Sequence, residues 1–199
     1  MSRFVILSLA LIALINSSNI PRTTATPPGI NQNDKTFVQT ACNSTKYPTM
    51  CYSALSSYSS IIKSDPIRLC LTSLSVNFES AKRASSIVSS LLKKVASSPE
   101  VPNILKDCLN ETKDTADELK QVIAEIMNNA RISKGEIKRK LETWANSSLT
   151  EMTTCMDKFN KVKVKVKVNT ETKKVKKAVS ELSMTTSNTL ALITRYLRF

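Results

Sequence analysis

From Pro66 onward the apolar residues recur in steps of three and four: Ile67, Leu71, Leu74, Phe78, Ala81, Val88, Leu92 and Val95, with Ser85 filling the one gap. That spacing lines them along one face of a single helix. Asp65-Pro66 supplies its start, an N-cap residue followed by proline at the first helical position. A second stripe begins between Pro99 and Pro102 and runs Leu105, Cys108, Thr112, Thr115, Leu119, Val122 and Ile126. The third follows Ser133, which with Glu136 forms an S-x-x-E capping box, and presents Ile137, Leu141, Trp144, Ser148, Met152 and Cys155. The fourth begins near Asn169, an N-cap residue, and carries Val175, Val179, Leu182, Thr186, Leu190, Ile193 and Leu197. The pattern therefore predicts four long helices at about 66–97, 100–130, 134–158 and 170–198.

Four amphipathic helices with short or moderate connections bury their stripes best as an up-down bundle. Threonines and serines at seam positions imply close helix approach rather than a bulky core. Before Pro66 the pattern gives two shorter helical pieces, about 34–42 and 48–57, joined by the turn Asn43 to Tyr47. The fold class expected is all-α: an up-down four-helix bundle with an N-terminal helical hairpin. Residues 26–33, with Pro27-Pro28-Gly29, form a flexible lead-in, and 34–199 form the domain, with the hairpin at 34–57 and the bundle at 66–198.

One segment departs from this period. Lys161 to Val168 reads KVKVKVKV, a repeat of two. As a helix it scatters valines on every side; as a strand it has no partner in the chain. It is read as an extended linker between the third and fourth helices. Residues 158–177 hold nine lysines and one acid, Glu171.

Composition removes whole classes of chemistry. The chain has no histidine, which removes Ser-His-Asp and Cys-His catalysis and every His-containing metal site. Its two glycines, Gly29 and Gly135, cannot build a phosphate-cradling loop. Sixteen acids leave room for a two-carboxylate hydrolase, but nothing marks any two of them as a pair. No metal, cofactor or catalytic residue is expected.

The N-terminus reads as a secretory signal. Arg3 is the positive region, Phe4 to Ile15 is an apolar run too short to span a bilayer, and small residues follow to Ala25. Cleavage near Ala25 (signal 1–25) removes Arg3 and Arg22 and lowers the formal charge from +13 to +11. The mature chain is expected to be secreted and extracellular, with no membrane segment. Export makes the five cysteines, Cys42, Cys51, Cys70, Cys108 and Cys155, candidates for two disulfides with one left over. This arithmetic does not choose which cysteine is left over. Asn43, Asn110 and Asn146 open N-x-S/T sequons and are glycosylation candidates.

The contexts of these cysteines carry a resemblance. Cys42-Asn-Ser-Thr-Lys-Tyr47-Pro48-Thr-Met-Cys51 looks like the C…T…YP…C hairpin of the plant invertase and pectin methylesterase inhibitor family. Asp107-Cys108 followed by Asp117-Glu118-Leu119, and the block from Thr143-Trp144 through Thr150 to Thr154-Cys155-Met-Asp-Lys-Phe159, resemble the family's third and fourth cysteine blocks. Ser187-Asn188-Thr189-Leu190-Ala191-Leu192 resembles its last helix. The chain departs at Thr112, where the family commonly has an aromatic, at Ser147-Ser148 in place of an alanine pair, and in the KVKVKVKV segment.

The resemblance implies the pairings Cys42–Cys51 and Cys108–Cys155, which leaves Cys70, beside the first stripe, as a free thiol buried as a small hydrophobe; those four cysteines alone would permit three connectivities. It also implies inhibition by occlusion, with the bundle laid across a target's substrate cleft and its second to fourth long helices forming the contact. Outward polar residues would then set specificity: Asp114, Asp117 and Gln121 on the second helix, and Thr143, Asn146, Ser147 and Thr150 on the third. A glycan on Asn146 would argue against its place in such a contact. Between the two subfamilies, the Thr143–Thr150 block looks more like the pectin methylesterase inhibitors, and the Pro-Lys-Phe motif common in invertase inhibitors is missing at Ile132 to Ile137. Acid invertase stays open as a target. A third reading is a cationic pectin-binding module, in which Lys161, Lys163, Lys165 and Lys167 attract acidic pectin. The plain alternative for that run is a solvated linker. Nucleic acid is not an expected partner, given export and few aromatics.

Overall fold

The computed structural model of the protein describes residues 32–94, 100–129, 131–161 and 170–197. The signal segment, most of the lead-in, Val95 and the alternating Lys-Val residues from 162 onward lie outside them. The described elements are α1 (Gln32–Asn43), α2 (Pro48–Leu55), a 3₁₀ turn (Ser56–Tyr58), α3 (Ser59–Ile62), α4 (Pro66–Lys94), α5 (Glu100–Asn128), α6 (Lys134–Lys161) and α7 (Thr170–Tyr196). The four long helices fall where the pattern puts them. Three points differ. α1 starts at Gln32, inside the expected lead-in; α6 continues to Lys161; and the 3₁₀ turn and α3 add a piece that the pattern did not show.

Local chemistry explains the starts and stops. Asp65 Oδ1 accepts the Arg68 backbone N–H at 2.9 Å, so it caps α4 ahead of Pro66. Ser133 Oγ accepts the Glu136 N–H at 3.2 Å and caps α6. α3 ends at Lys63 and Ser64, whose φ values of 49° and 55° are left-handed. Neither is glycine, so the turn carries about 1–2 kcal/mol per residue of backbone cost. The Ser64 hydroxyl donates to Asp34 at 2.8 Å, tying that turn to α1.

The core is built in layers that fix the topology. One cluster joins Ala81 to Leu91 of α4, Leu105 to Ala116 of α5, Met152 to Phe159 of α6 and Val175 to Leu182 of α7. Another joins Cys70 and Leu74 of α4, Leu119 of α5, Leu141 to Ala145 of α6 and Ile193 to Leu197 of α7. Late α4 thus meets early α5, late α6 and early α7, which is an antiparallel up-down arrangement. The hairpin closes the other end: Val38, Ala41, Cys42, Cys51, Leu55 and Ile62 pack on Leu69 and Leu192. Asn188 locks it there, accepting the Tyr47 N–H and donating to the Tyr47 carbonyl, both at 3.0 Å.

The seam of α4 departs from the expected stripe. Its buried positions include Cys70, Leu74, Asn77, Ala81, Ala84, Val88 and Leu91, a repeat of four and three. Ile67 and Leu71, expected inside, are 51% and 47% exposed. Small or polar residues occupy the seam because α7 approaches closely: Asn77 Nδ2 donates to Thr186 Oγ1 at 2.9 Å. The larger Phe78 and Leu92 sit at its edge, half-buried. On α5 to α7 the expected seam positions are buried or half-buried. Buried Thr112 and Thr186 satisfy their hydroxyls on the carbonyls four residues back.

Candidate functional site

Two disulfides, Cys42–Cys51 and Cys108–Cys155, are formed. The first closes the turn between α1 and α2; the second joins α5 to α6 through their inward faces. Cys70 is the free cysteine and is buried. Burial, with a smaller push from Asp65, raises its thiol to about 12, so it stays protonated and unreactive. Glu111 lies close to both sulphurs of Cys108–Cys155. Those sulphurs are committed to each other and offer no thiolate, so this trio is not a metal site.

The disulfide and two polar contacts fix the register of α5 against α6, and a third, within α6, holds Glu151 in place. Thr115 Oγ1 donates to Glu151 Oε2 at 2.9 Å, and Ser147 Oγ donates to the other oxygen of Glu151 at 3.3 Å. Trp144, buried at 2% exposure, donates its indole N–H to the Thr115 carbonyl at 3.0 Å. That bond takes a carbonyl which Leu119 would otherwise use alone, and it anchors the two helices side by side.

Outward from this anchor lie the sequence-predicted contact residues. Asp114, Asp117 and Gln121 are exposed and line one shallow depression with Glu118, Lys120 and Ala124. Thr143, Asn146, Ser147 and Thr150 are exposed on α6. The two sets form adjacent patches, linked through Thr115, Glu151 and Ser147. On α6, Asn146 donates to the Glu142 carbonyl at 2.8 Å and Thr150 to the Asn146 carbonyl at 3.1 Å. Three of the sequons' asparagines, Asn43, Asn110 and Asn146, are exposed.

The face is acidic, and sequence reasoning missed part of it. The Glu118 carboxyl is held above its ordinary range by burial, then by Glu151 and Asp114. Glu111 is also raised, because burial outweighs the opposing pull of Lys158. Lys158 closes the acidic strip, bonding Asp107 at 3.0 Å and Glu111 at 3.3 Å. Glu118 stands in the D-E-L stretch beside Asp117, and Glu151 follows Thr150; both have the spacing of a helix seam edge. What hid them is that half-burial between two helices is a tertiary property.

The arrangement offers a polar surface shared by two helices and braced from beneath by the disulfide and the Trp144–Thr115 bond. Comparison with known proteins gives the family. The profile described as plant invertase/pectin methylesterase inhibitor matches residues 36–192. The chain is 57% identical to pectinesterase inhibitor 4 of Arabidopsis thaliana, over 100% of each chain. It is 34% identical to pectinesterase inhibitor 10 of the same organism, covering 83% of this chain and 53% of that one. The fold is also that of a solved structure, a mutant form of a pectin methylesterase inhibitor from Arabidopsis, with a TM-score of 0.62 over 80% of this chain and 96% of that one at 14% identity. With the profile spanning the hairpin and all four bundle helices, this chain belongs to the plant invertase/pectin methylesterase inhibitor family.

Proposed function

We infer that this chain is an inhibitor of pectin methylesterase and performs no chemistry of its own. The observation that carries the reading is the full-length likeness to pectinesterase inhibitor 4. The mechanism that fits is stoichiometric occlusion: the α5–α6 surface covers the esterase's substrate cleft. Asp114, Asp117, Gln121, Thr143, Asn146, Ser147 and Thr150 are the proposed contact residues, and Glu118 and Glu151 belong with them. A surface already fixed by a disulfide and a Trp144–Thr115 bond loses little conformational freedom on binding, which favours a tight complex.

The protein is proposed to act outside the cell, after removal of its N-terminal signal. No helix among the described residues is long and apolar enough to cross a membrane. Acid invertase, which shares the family's description, is the alternative target. Acidic pectin is a further proposed partner, through Lys161, Lys163, Lys165 and Lys167; of these only Lys161 lies in a described helix, as the last residue of α6. Titrating the purified protein into one pectin methylesterase and one acid invertase separates the targets. Loss of esterase activity with a breakpoint near equimolar, and none of invertase, is expected; the reverse pattern would install the invertase reading.

A further inference from the structure

The end of the bundle opposite the hairpin is strongly basic. There α4 ends in Lys93 and Lys94, and α7 begins with Lys173, Lys174, Lys176 and Lys177. The core layer formed by late α4, late α6 and early α7 puts these ends together. Val175, Ala178 and Val179 point inward, which leaves Lys173, Lys174 and Lys177 exposed. Lys177 lies 3.8 Å from Glu181 with 77% of its side chain exposed, and Lys176 bonds the neutral Asn160 at 3.0 Å. Two helix N-termini and two C-termini meet at this end, so the helix dipoles offset one another and the lysines set the field. The α5–α6 face is acidic, so a polyanion is repelled from one surface and drawn to the other.

We propose that this lysine pole binds de-esterified galacturonate polymer, the acid product of the target enzyme, and not its methyl-esterified substrate. The proposal rests on the inhibitor reading for its choice of polyanion. Hydrolysis of each methyl ester by water releases methanol and leaves a carboxylate on the sugar. The enzyme therefore writes negative charge into the polymer as it works. A lysine pole reads that charge, and the inhibitor gathers where its target has already acted. The pole and the α5–α6 face are separate surfaces, so polymer and esterase can be held at once.

The test compares the full mature chain with a variant carrying Lys173→Gln, Lys174→Gln, Lys176→Gln and Lys177→Gln. Glutamine keeps the helix propensity of lysine, and far-UV circular dichroism checks that α7 is intact. Cosedimentation is measured with polygalacturonate, with highly methyl-esterified pectin and with anionic lipid vesicles. The parent should bind polygalacturonate at low salt and esterified pectin at least about tenfold more weakly, and the variant should lose at least about tenfold on polygalacturonate, as each lysine near an anionic surface adds several-fold. Binding should fade toward 0.5 M salt, where the Debye length falls well below its value of about 10 Å at 0.1 M. Equal binding to both pectins, binding to vesicles alone, or no binding at all would overturn the proposal. So would a folded variant that no longer inhibits the esterase on a small soluble ester, since the pole would then be part of the enzyme contact. A parent that holds polygalacturonate yet inhibits no esterase would instead sink the inhibitor reading and leave the pole standing.

Discussion

The α5–α6 face and the lysine pole are both charged surfaces of one bundle, but they are built differently. The face is fixed from beneath: Cys108–Cys155, Trp144 on the Thr115 carbonyl, and Glu151 held by Thr115 and Ser147. The pole is a set of long lysine side chains, most of them exposed. Lys173 is exposed, and Lys177 lies 3.8 Å from Glu181 with most of its side chain in solvent. A preorganised surface suits recognition of one shape, because its order is established before binding. Loosely held charges suit a polymer that presents carboxylates in any register, at the cost of salt sensitivity. Sign alone says little about a surface; what supports it decides its use.

Breaking the staple under the face should have the largest effect. Cys108–Cys155 closes 48 residues and Cys42–Cys51 closes ten. On the chain-entropy account these stabilise by about 4 and about 2.7 kcal/mol. Cys108→Ser should therefore lower the melting temperature by about 8–16 °C and Cys51→Ser by about 5–11 °C. Differential scanning calorimetry checks the order, and a larger loss from Cys51→Ser would place the main staple in the hairpin.

Trp144→Phe should come next. It removes the indole donor from the Thr115 carbonyl and leaves a small void, costing about 2 kcal/mol. Denaturant melts should show that loss, and inhibition should weaken because the α5–α6 register loosens. Polygalacturonate retention should not change. A parallel loss of retention would mean that the two surfaces are coupled through the bundle.

The smallest expected effect tests the acidity of the face. The Glu118 carboxyl is raised by burial, then by Glu151 and Asp114. The folded state thus binds this proton more readily than the unfolded chain. Ionised Glu118 costs stability above its folded pKa, the cost shrinks as pH falls through that value, and it is gone below the unfolded value near 4.3. Glu118→Gln should raise the melting temperature at pH 7 by about a degree or two and leave it unchanged near pH 3.5. A gain of equal size at both pH values would place its origin elsewhere.

Much of this organisation was legible in the sequence, for identifiable reasons. The seams of α5, α6 and α7 carry large apolar residues at helical spacing, Leu105, Leu119, Leu141, Met152, Leu182 and Ile193 among them, and a periodic reading finds them. The seam of α4 was read wrongly near its start. Its true positions there are filled by Cys70 and Asn77, while the larger Leu71 and Phe78 each stand one residue later. A rule that ranks residues by size follows the edge of such a seam instead of its centre. The Asn188–Tyr47 lock spans 141 positions and has no local signature. For the site, exposure of the predicted contact residues followed from their place opposite the seam. The half-buried Glu118 and Glu151 did not, since their surroundings come from both helices at once.

The central claim is that the α5–α6 face blocks a pectin methylesterase. The most direct measurement titrates the parent and an Asp117→Arg/Ser147→Arg variant into one esterase on a small soluble ester, after thermal melts show both folded. The account predicts an equimolar breakpoint for the parent, and for the variant about a 30-fold or greater rise in the concentration needed, the cost of losing a central contact worth about 2 kcal/mol. A folded variant that inhibits as well as the parent would contradict the assignment of the face.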